Sequence, residues 1–269
     1  MKSYYYFYTS LRDLSWDIEK KPYSAKELIQ KIQEALEPED FEIIRAFLYR
    51  FDNKNLVKLI EKKDDFSDLG IFSKTELEEE IKNPTILPRY MKEFLENLKS
   101  DRKDYGHYSL EDQLSIYYYK FLMNNSDDFI RAFTRFDFNL KNLLVALNCR
   151  KYKLDLPQNV LLINEEAESL ISSGSGDFGL SLHFSWLSEV IRIFEESSTL
   201  EFQKKLDQLI FDQTSSMVTF EYFTVRVILA YLIKFMLIDR HLELNDTKGI
   251  NIFENITKSM VEKVNLSAE

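Results

Sequence analysis

Apolar residues recur along this chain at helical spacing. Leu28, Ile29, Ile32 and Leu36 form one stripe, and Ser24 with Glu27 three residues on has the form of a capping box opening it. Pro38 suits a first helical turn, with Glu39 and Asp40 favourable to the helix dipole. Phe41, Ile44, Phe47, Leu48 and Phe51 continue the pattern. Asp52 then has the chemistry of a cap for a next helix carrying Leu56, Leu59 and Ile60. Ser73 with Glu76 predicts a second capping box, Pro88 opens a helix with Met91, Phe94, Leu95 and Leu98, and Ser109 caps one with Leu114, Tyr118 and Phe121. Asp127 and Asp128 precede Phe129, Ile130 and Phe133. Asp137 precedes a strongly apolar helix through Leu140, Leu143, Leu144 and Leu147.

The second half is less regular. "NVLLI", Asn159 to Ile163, is the best strand candidate, although one short apolar run does not separate strand from helix. "SSGSGDFG" reads as a loop and sets the main internal boundary at residues 172–179. This divides the chain into an N-terminal region, 1–171, holding two similar helical units, and a C-terminal unit, 180–269. Helices are expected over about 184–196, 200–211 and 220–242, with a last one after Asp246. The N-terminal "YYYFYTSL" fits either a helix face or a strand.

Composition strengthens the helical reading. There are 6 glycines and 5 prolines in 269 residues, against roughly 12% of an average chain. Aromatic residues make up 14%, with 21 Phe and 15 Tyr. Few chain breakers and many bulky side chains favour long helices with thick packing between them, because sheets need turns and turns consume Gly and Pro. The expected fold is all-α, built of repeated helical bundles.

Charge narrows the partners. The net charge of −10 disfavours a phosphate backbone, so nucleic acid is not expected. The longest apolar run, "VILAYLI" from Val227 to Ile233, falls far short of the ~20 residues that span a bilayer, so direct membrane insertion is not expected either. The N-terminus carries Arg and Asp where the core of a signal peptide would continue, and a single cysteine, Cys149, suits a reducing compartment. A cytoplasmic protein is expected.

Candidate chemistry is sparse. Gly174, Gly176 and Gly179 match G-x-G-x-x-G, but they follow "NEEAESLISS", which reads as a helix, whereas the dinucleotide fingerprint must follow a strand. His107, His183 and His241 are scattered, and a zinc site needs about four convergent ligands. Cys149 ends an apolar helix and reads as a buried structural thiol. The runs "ELEEE" (Glu76 to Glu80) and "NEEAE" (Asn164 to Glu168) read as solvated helix faces. The tyrosine clusters Tyr4–Tyr6 and Tyr117–Tyr119 suit a core or an interface. No catalytic residue, metal ligand or cofactor is expected.

What remains is a repeated phrase. "RFDNKNLVKLI" from Arg50 and "RFDFNLKNLLVAL" from Arg135 share Arg-Phe-Asp, then Lys-Asn-Leu, then an aliphatic run. Asp52 and Asp137 read as helix caps, and Asn55 and Asn142 as side chains that hydrogen-bond a neighbouring turn or helix. A helix-start signal used twice is favoured over a ligand site, and duplicated bundles would give the same pattern.

"SYYYFYTSLRDLSWD", "FDNKNLVKLI", "NLKNLLVALNCRKY" and "ILAYLIKFMLIDRHLELNDTKGINIFENI" together resemble a bacterial family encoded beside V-type ATPase genes. That family is in turn similar to the central-stalk connector of V/A-type ATPases, known as the C-subunit or d-subunit. The matching positions are Asp52, Asn55 and Leu56; Asn142, Leu143, Arg150 and Lys151; and Tyr231, Lys234, Lys248 and Gly249. "IDRHLEL" stands where that connector has a Glu and an Asn-[LI]-Arg sequence. The resemblance implies an all-α, elongated or funnel-like part of a central stalk, with no catalysis of its own. It implies rotor shaft subunits and the membrane rotor ring as partners, torque transmission for ion transport as the task, and a peripheral place at the inner membrane through the ATPase complex. A scaffold or assembly factor binding the same complex transiently is the alternative.

Overall fold

A computed structural model describes residues 3–100 and 104–243. Among them the chain is all-α, with no strand. The N-terminal tyrosines form a short helix, α1 (Tyr5–Ser10), followed by α2 (Ala25–Ala35), α3 (Pro38–Ile60) and α4 (Lys74–Lys82). Then come α5 (Arg89–Lys99), α6 (Leu110–Met123) and α7 (Asp128–Tyr152), the short α8 (Leu156–Asn159), and α9 (Glu165–Ser172). Beyond the Gly/Ser loop lie α10 (Leu187–Glu196), α11 (Thr199–Met217) and α12 (Val225–Glu243). The helix expected after Asp246, with Lys248 and Gly249, lies outside the described residues.

Local signals set most starts. Ser24 with Glu27 and Ser73 with Glu76 form complete capping boxes, each serine accepting from the glutamate's N–H and each glutamate from the serine's N–H. Ser109, Asp127, Asn164 and Ser198 cap α6, α7, α9 and α11 in the same way with a single side-chain acceptor.

Three expectations are corrected. Asp52 and Asp137 do not start helices; they sit in the middle of α3 and α7. The apolar period runs unbroken from Phe41 through Leu56 and from Phe129 through Leu147, and neither helix contains an internal glycine or proline to interrupt it. "NVLLI" is no strand: Asn159 ends α8, and Val160 to Ile163 form a connecting segment without a partner ladder. The last long helix begins at Val225 rather than near Phe220, because Phe223 adopts φ +59°, which no helix continues through.

The two longest helices, α3 and α7, carry the frame. Each has a stretch of consecutive buried residues, Ala46 to Tyr49 and Phe136 to Leu140, so each is enclosed on more than one side. α6 packs on both, α12 packs on α2, α3 and α11, and α11 also touches α7. One apolar core runs from Tyr4 to Ile238 and includes Leu28, Leu48, Phe94, Phe178 and Phe235, all fully buried. Burying each such side chain stabilises the fold by about 1.5–3 kcal/mol. A void of about 10 Å³ bordered by Phe47, Phe129, Phe133 and Leu229 remains between α3, α7 and α12.

Candidate functional site

Helix α3 uses its middle to hold the chain that follows it. Asp52 is fully buried, and its carboxylate accepts from the N–H groups of Ile71 (2.9 Å) and Phe72 (3.0 Å). Three residues on, one helical turn away, Asn55 makes a two-way clamp on Ser67. Its amide donates to the Ser67 carbonyl and accepts from the Ser67 N–H, both at 2.8 Å. Gly70 lies against the Asp52 carboxylate so closely that a Cβ there would stand 2.9 Å from Asp52 Cγ and nearer still to Oδ1. Burial pushes the Asp52 carboxyl up to about 6, with the two N–H bonds and Arg45 offsetting part of the effect.

Helix α7 repeats the clamp. Asn142 donates to the Leu161 carbonyl (2.9 Å) and accepts from the Leu161 N–H (3.1 Å). A side-chain amide thus pairs with a single backbone residue as a strand neighbour would, once in each copy. Asn139 adds a second tie, accepting from the Asn164 amide at 2.9 Å while Asn164 caps α9.

The two copies also meet. Arg50 of the first Arg-Phe-Asp reaches Asp137 of the second, 3.9 Å away, and lies over the Phe47 ring. Asp137 accepts from Tyr119 Oη (2.8 Å) and Lys141 Nζ (2.9 Å), and Lys141 also donates to Tyr119 Oη (2.6 Å). Neighbouring Tyr118 donates to the carbonyls of Ala46 and Phe47, tying α6 to α3. Burial alone would raise the Asp137 carboxyl, but Lys141 and Arg50 together hold it below the ordinary range. Arg50 Nε is buried with no hydrogen-bond partner.

Four more residues singled out by sequence have defined roles. Arg150 donates to the carbonyls of Ser173 (2.9 Å) and Ser175 (2.6 Å) and lies 3.4 Å over the Phe178 ring. It therefore shapes the Gly/Ser loop, where Gly179 has φ +72°. Lys151 sits over the rings of Tyr152 and Phe194. Tyr231 donates to the Arg12 carbonyl at 2.8 Å. Lys234 lies over Phe211, its ammonium pushed down by burial. Arg150→Lys keeps the charge and loses the planar fork. Limited proteolysis should then cut the loop at 173–179 several-fold faster, with the far-ultraviolet circular dichroism unchanged.

Two carboxylates escaped sequence reasoning. Glu80 belongs to a run that reads as a solvated face, yet it is buried and accepts from the N–H groups of Thr85, Ile86 and Leu87. Burial raises its pKa, but the Thr85 hydroxyl, which also donates to it, and those N–H bonds together lower it below the ordinary value. Asp207, also buried, takes Arg240 and Gln203. Gly70 was missed as well; its only sequence signal is a glycine between two helices.

Among the described residues no three His, Cys, Asp or Glu side chains gather as metal ligands. His107 lies beside Tyr108, His183 near Phe184 and His241 against Trp16. The Cys149 thiol is buried and pushed up by that burial, away from thiolate reactivity. An open groove of about 480 Å³ between α10 and α11 is lined by Trp186, Glu189, Arg192, Lys205 and Asp212.

The arrangement is that of an all-α protein whose polar residues brace its own helices and loops. The chain belongs to the family described as "Protein of unknown function (DUF2764)", whose model matches residues 1–264. No curated protein and no solved structure matches it.

Proposed function

We propose that this chain is a non-catalytic connector of a bacterial V-type ATPase, similar to the C-subunit (d-subunit) of the central stalk, that links rotor shaft subunits to the membrane rotor ring. The observation that carries the reading is the doubled bracing unit: a long helix, an asparagine clamp on the following loop, and an Arg50–Asp137 contact joining the copies. A part that transmits torque needs such stiffness, and repeated helical units supply it. The sequence resemblance supplies the machine. No helix among the described residues is long and apolar enough to cross a membrane, so attachment to the ring runs through protein contacts in this reading.

The test is purification of the ATPase from the native host. The chain should be retained at fixed stoichiometry with the rotor through size exclusion. Retention only in incomplete complexes would make it an assembly factor instead, and ATP hydrolysis by the isolated chain would overturn the proposal.

A further inference from the structure

Several lysines of this chain meet carboxylates: Lys21 pairs with Asp239, Lys26 with Asp68, Lys58 with Asp65 and Lys205 with Glu201. Lys234 does not. It sits in the middle of α12 between Ile233 and Phe235, both buried, and its ammonium lies 5.0 Å from the centre of the Phe211 ring on α11. Phe211 in turn meets Trp16 edge-on at 5.7 Å, so the wall beside the ammonium is aromatic. Among the described residues no side chain or carbonyl accepts from Lys234. The acids nearest to it along the two helices are committed elsewhere. Asp207 takes Arg240 and Gln203, Asp239 takes Lys21, and Asp212 lines the groove toward α10. His241, two turns on along α12, lies against Trp16.

Burial is thus the one influence on the Lys234 ammonium, and it pushes the group down with no counter-charge to hold the proton. Lys141 is pushed down as well, but Asp137 pairs with it. The Lys234 nitrogen still meets solvent. The unpartnered polar side-chain atoms sealed in the fold, among the described residues, are Arg45 Nε, Arg50 Nε, Gln113 Oε1 and His241 Nδ1. A half-buried amine of this kind is uncharged more often near neutral pH than an exposed lysine, and the uncharged amine is the nucleophile. It also gains from any reaction that leaves its nitrogen neutral, because apolar surroundings penalise the ammonium.

We propose that Lys234 is a reactive amine site that condenses with small uncharged aldehydes. The Nζ lone pair adds to the carbonyl carbon and a C–N bond forms. The carbonyl oxygen leaves as water with both amine hydrogens, giving a neutral imine with no change of oxidation state. The aromatic wall favours an uncharged electrophile over an anionic one. The site stands whether or not the chain serves a V-type ATPase.

The experiment incubates the full chain with propanal and cyanoborohydride, which fixes each imine as a secondary amine, and locates the adducts by peptide mass spectrometry. At pH 7 Lys234 should label several-fold faster than the exposed lysines Lys54 and Lys82. Raising the pH should speed Lys54 and Lys82 more than Lys234, since more of the Lys234 amine is already uncharged. Glyoxylate, an anionic aldehyde, should show no preference for Lys234. Lys234→Arg should lose the fast adduct and leave labelling of Lys54 and Lys82 unchanged. Labelling of Lys234 no faster than that of Lys54 and Lys82 would overturn the inference. So would a lead with the same pH dependence as theirs, which reflects access alone, or an equal lead with glyoxylate.

Discussion

Asp52→Ala should destabilise the protein by about 3 kcal/mol, since it strips the buried N–H of Phe72 and the half-buried N–H of Ile71 of their acceptor. Gly70→Ala should cost about 1–3 kcal/mol by overpacking, because its methyl enters the space held by the same carboxylate. The two effects share one cause, so they should not add. In the Asp52→Ala background the Gly70 methyl has room, and the double variant should be more stable than the sum of single losses by about 1–2 kcal/mol. Urea midpoints of the four proteins measure the cycle, and strict additivity would show that Asp52 and Gly70 are not coupled. Asp52 also gives a pH signature. Its folded-state pKa, about 6, lies above the ordinary value, so its contribution is full below about pH 4 and lost as pH rises through about 6. Relative to Asp52→Asn, the wild-type protein should therefore lose stability between pH 4 and pH 6.5.

Asp137→Ala should cost about 3–5 kcal/mol, the usual consequence of leaving buried charge without its counter-charge. Arg50 loses its carboxylate partner, and Tyr119 Oη loses its acceptor. Asp137→Asn should cost less, since the amide oxygen still accepts from Tyr119. Adding Arg50→Met to Asp137→Ala should recover part of the loss, because an apolar side chain of similar length removes the stranded charge. The pH dependence has the opposite sign to that of Asp52. Lys141 and Arg50 depress the Asp137 pKa, so its contribution is present above about pH 4 and lost as pH falls through the folded-state value. Denaturant melts of wild type and Asp137→Asn between pH 2.5 and 5 read this directly: only the wild type should show the added acid-side loss.

The helical class was legible in the sequence because its evidence is local. A capping box such as Ser73 with Glu76 closes within three residues, and an apolar stripe declares itself within two turns. Asp52 shows where that reasoning stops. An aspartate before an apolar run has cap chemistry, yet its partners lie at Ile71 and Phe72, beyond the helix end. No local rule distinguishes an acceptor for the next turn from an acceptor for a loop nineteen residues on. Asn55 reads from sequence as a tie to a neighbouring turn, and it meets Ser67. The Arg50–Asp137 contact was hidden for a different reason. Both residues belong to the repeated phrase, but their meeting depends on how α3, α6 and α7 pack, which periodicity does not encode. Glu80 was lost among its charged neighbours because burial of one residue in a run follows from the turn it supports.

The two asparagine clamps carry a consequence for hydrogen exchange. Loop amides ordinarily trade their protons with solvent in seconds, while those of a buried helix wait for rare openings. The N–H groups of Ser67 and Leu161 belong to loops but are held by side chains rooted mid-helix in α3 and α7. Their protons can be released only when the clamp opens. Ser67 and Leu161 should therefore exchange slowly for loop residues, as should Ile71 and Phe72 held by Asp52, and each should slow or quicken together with the helix that grips it.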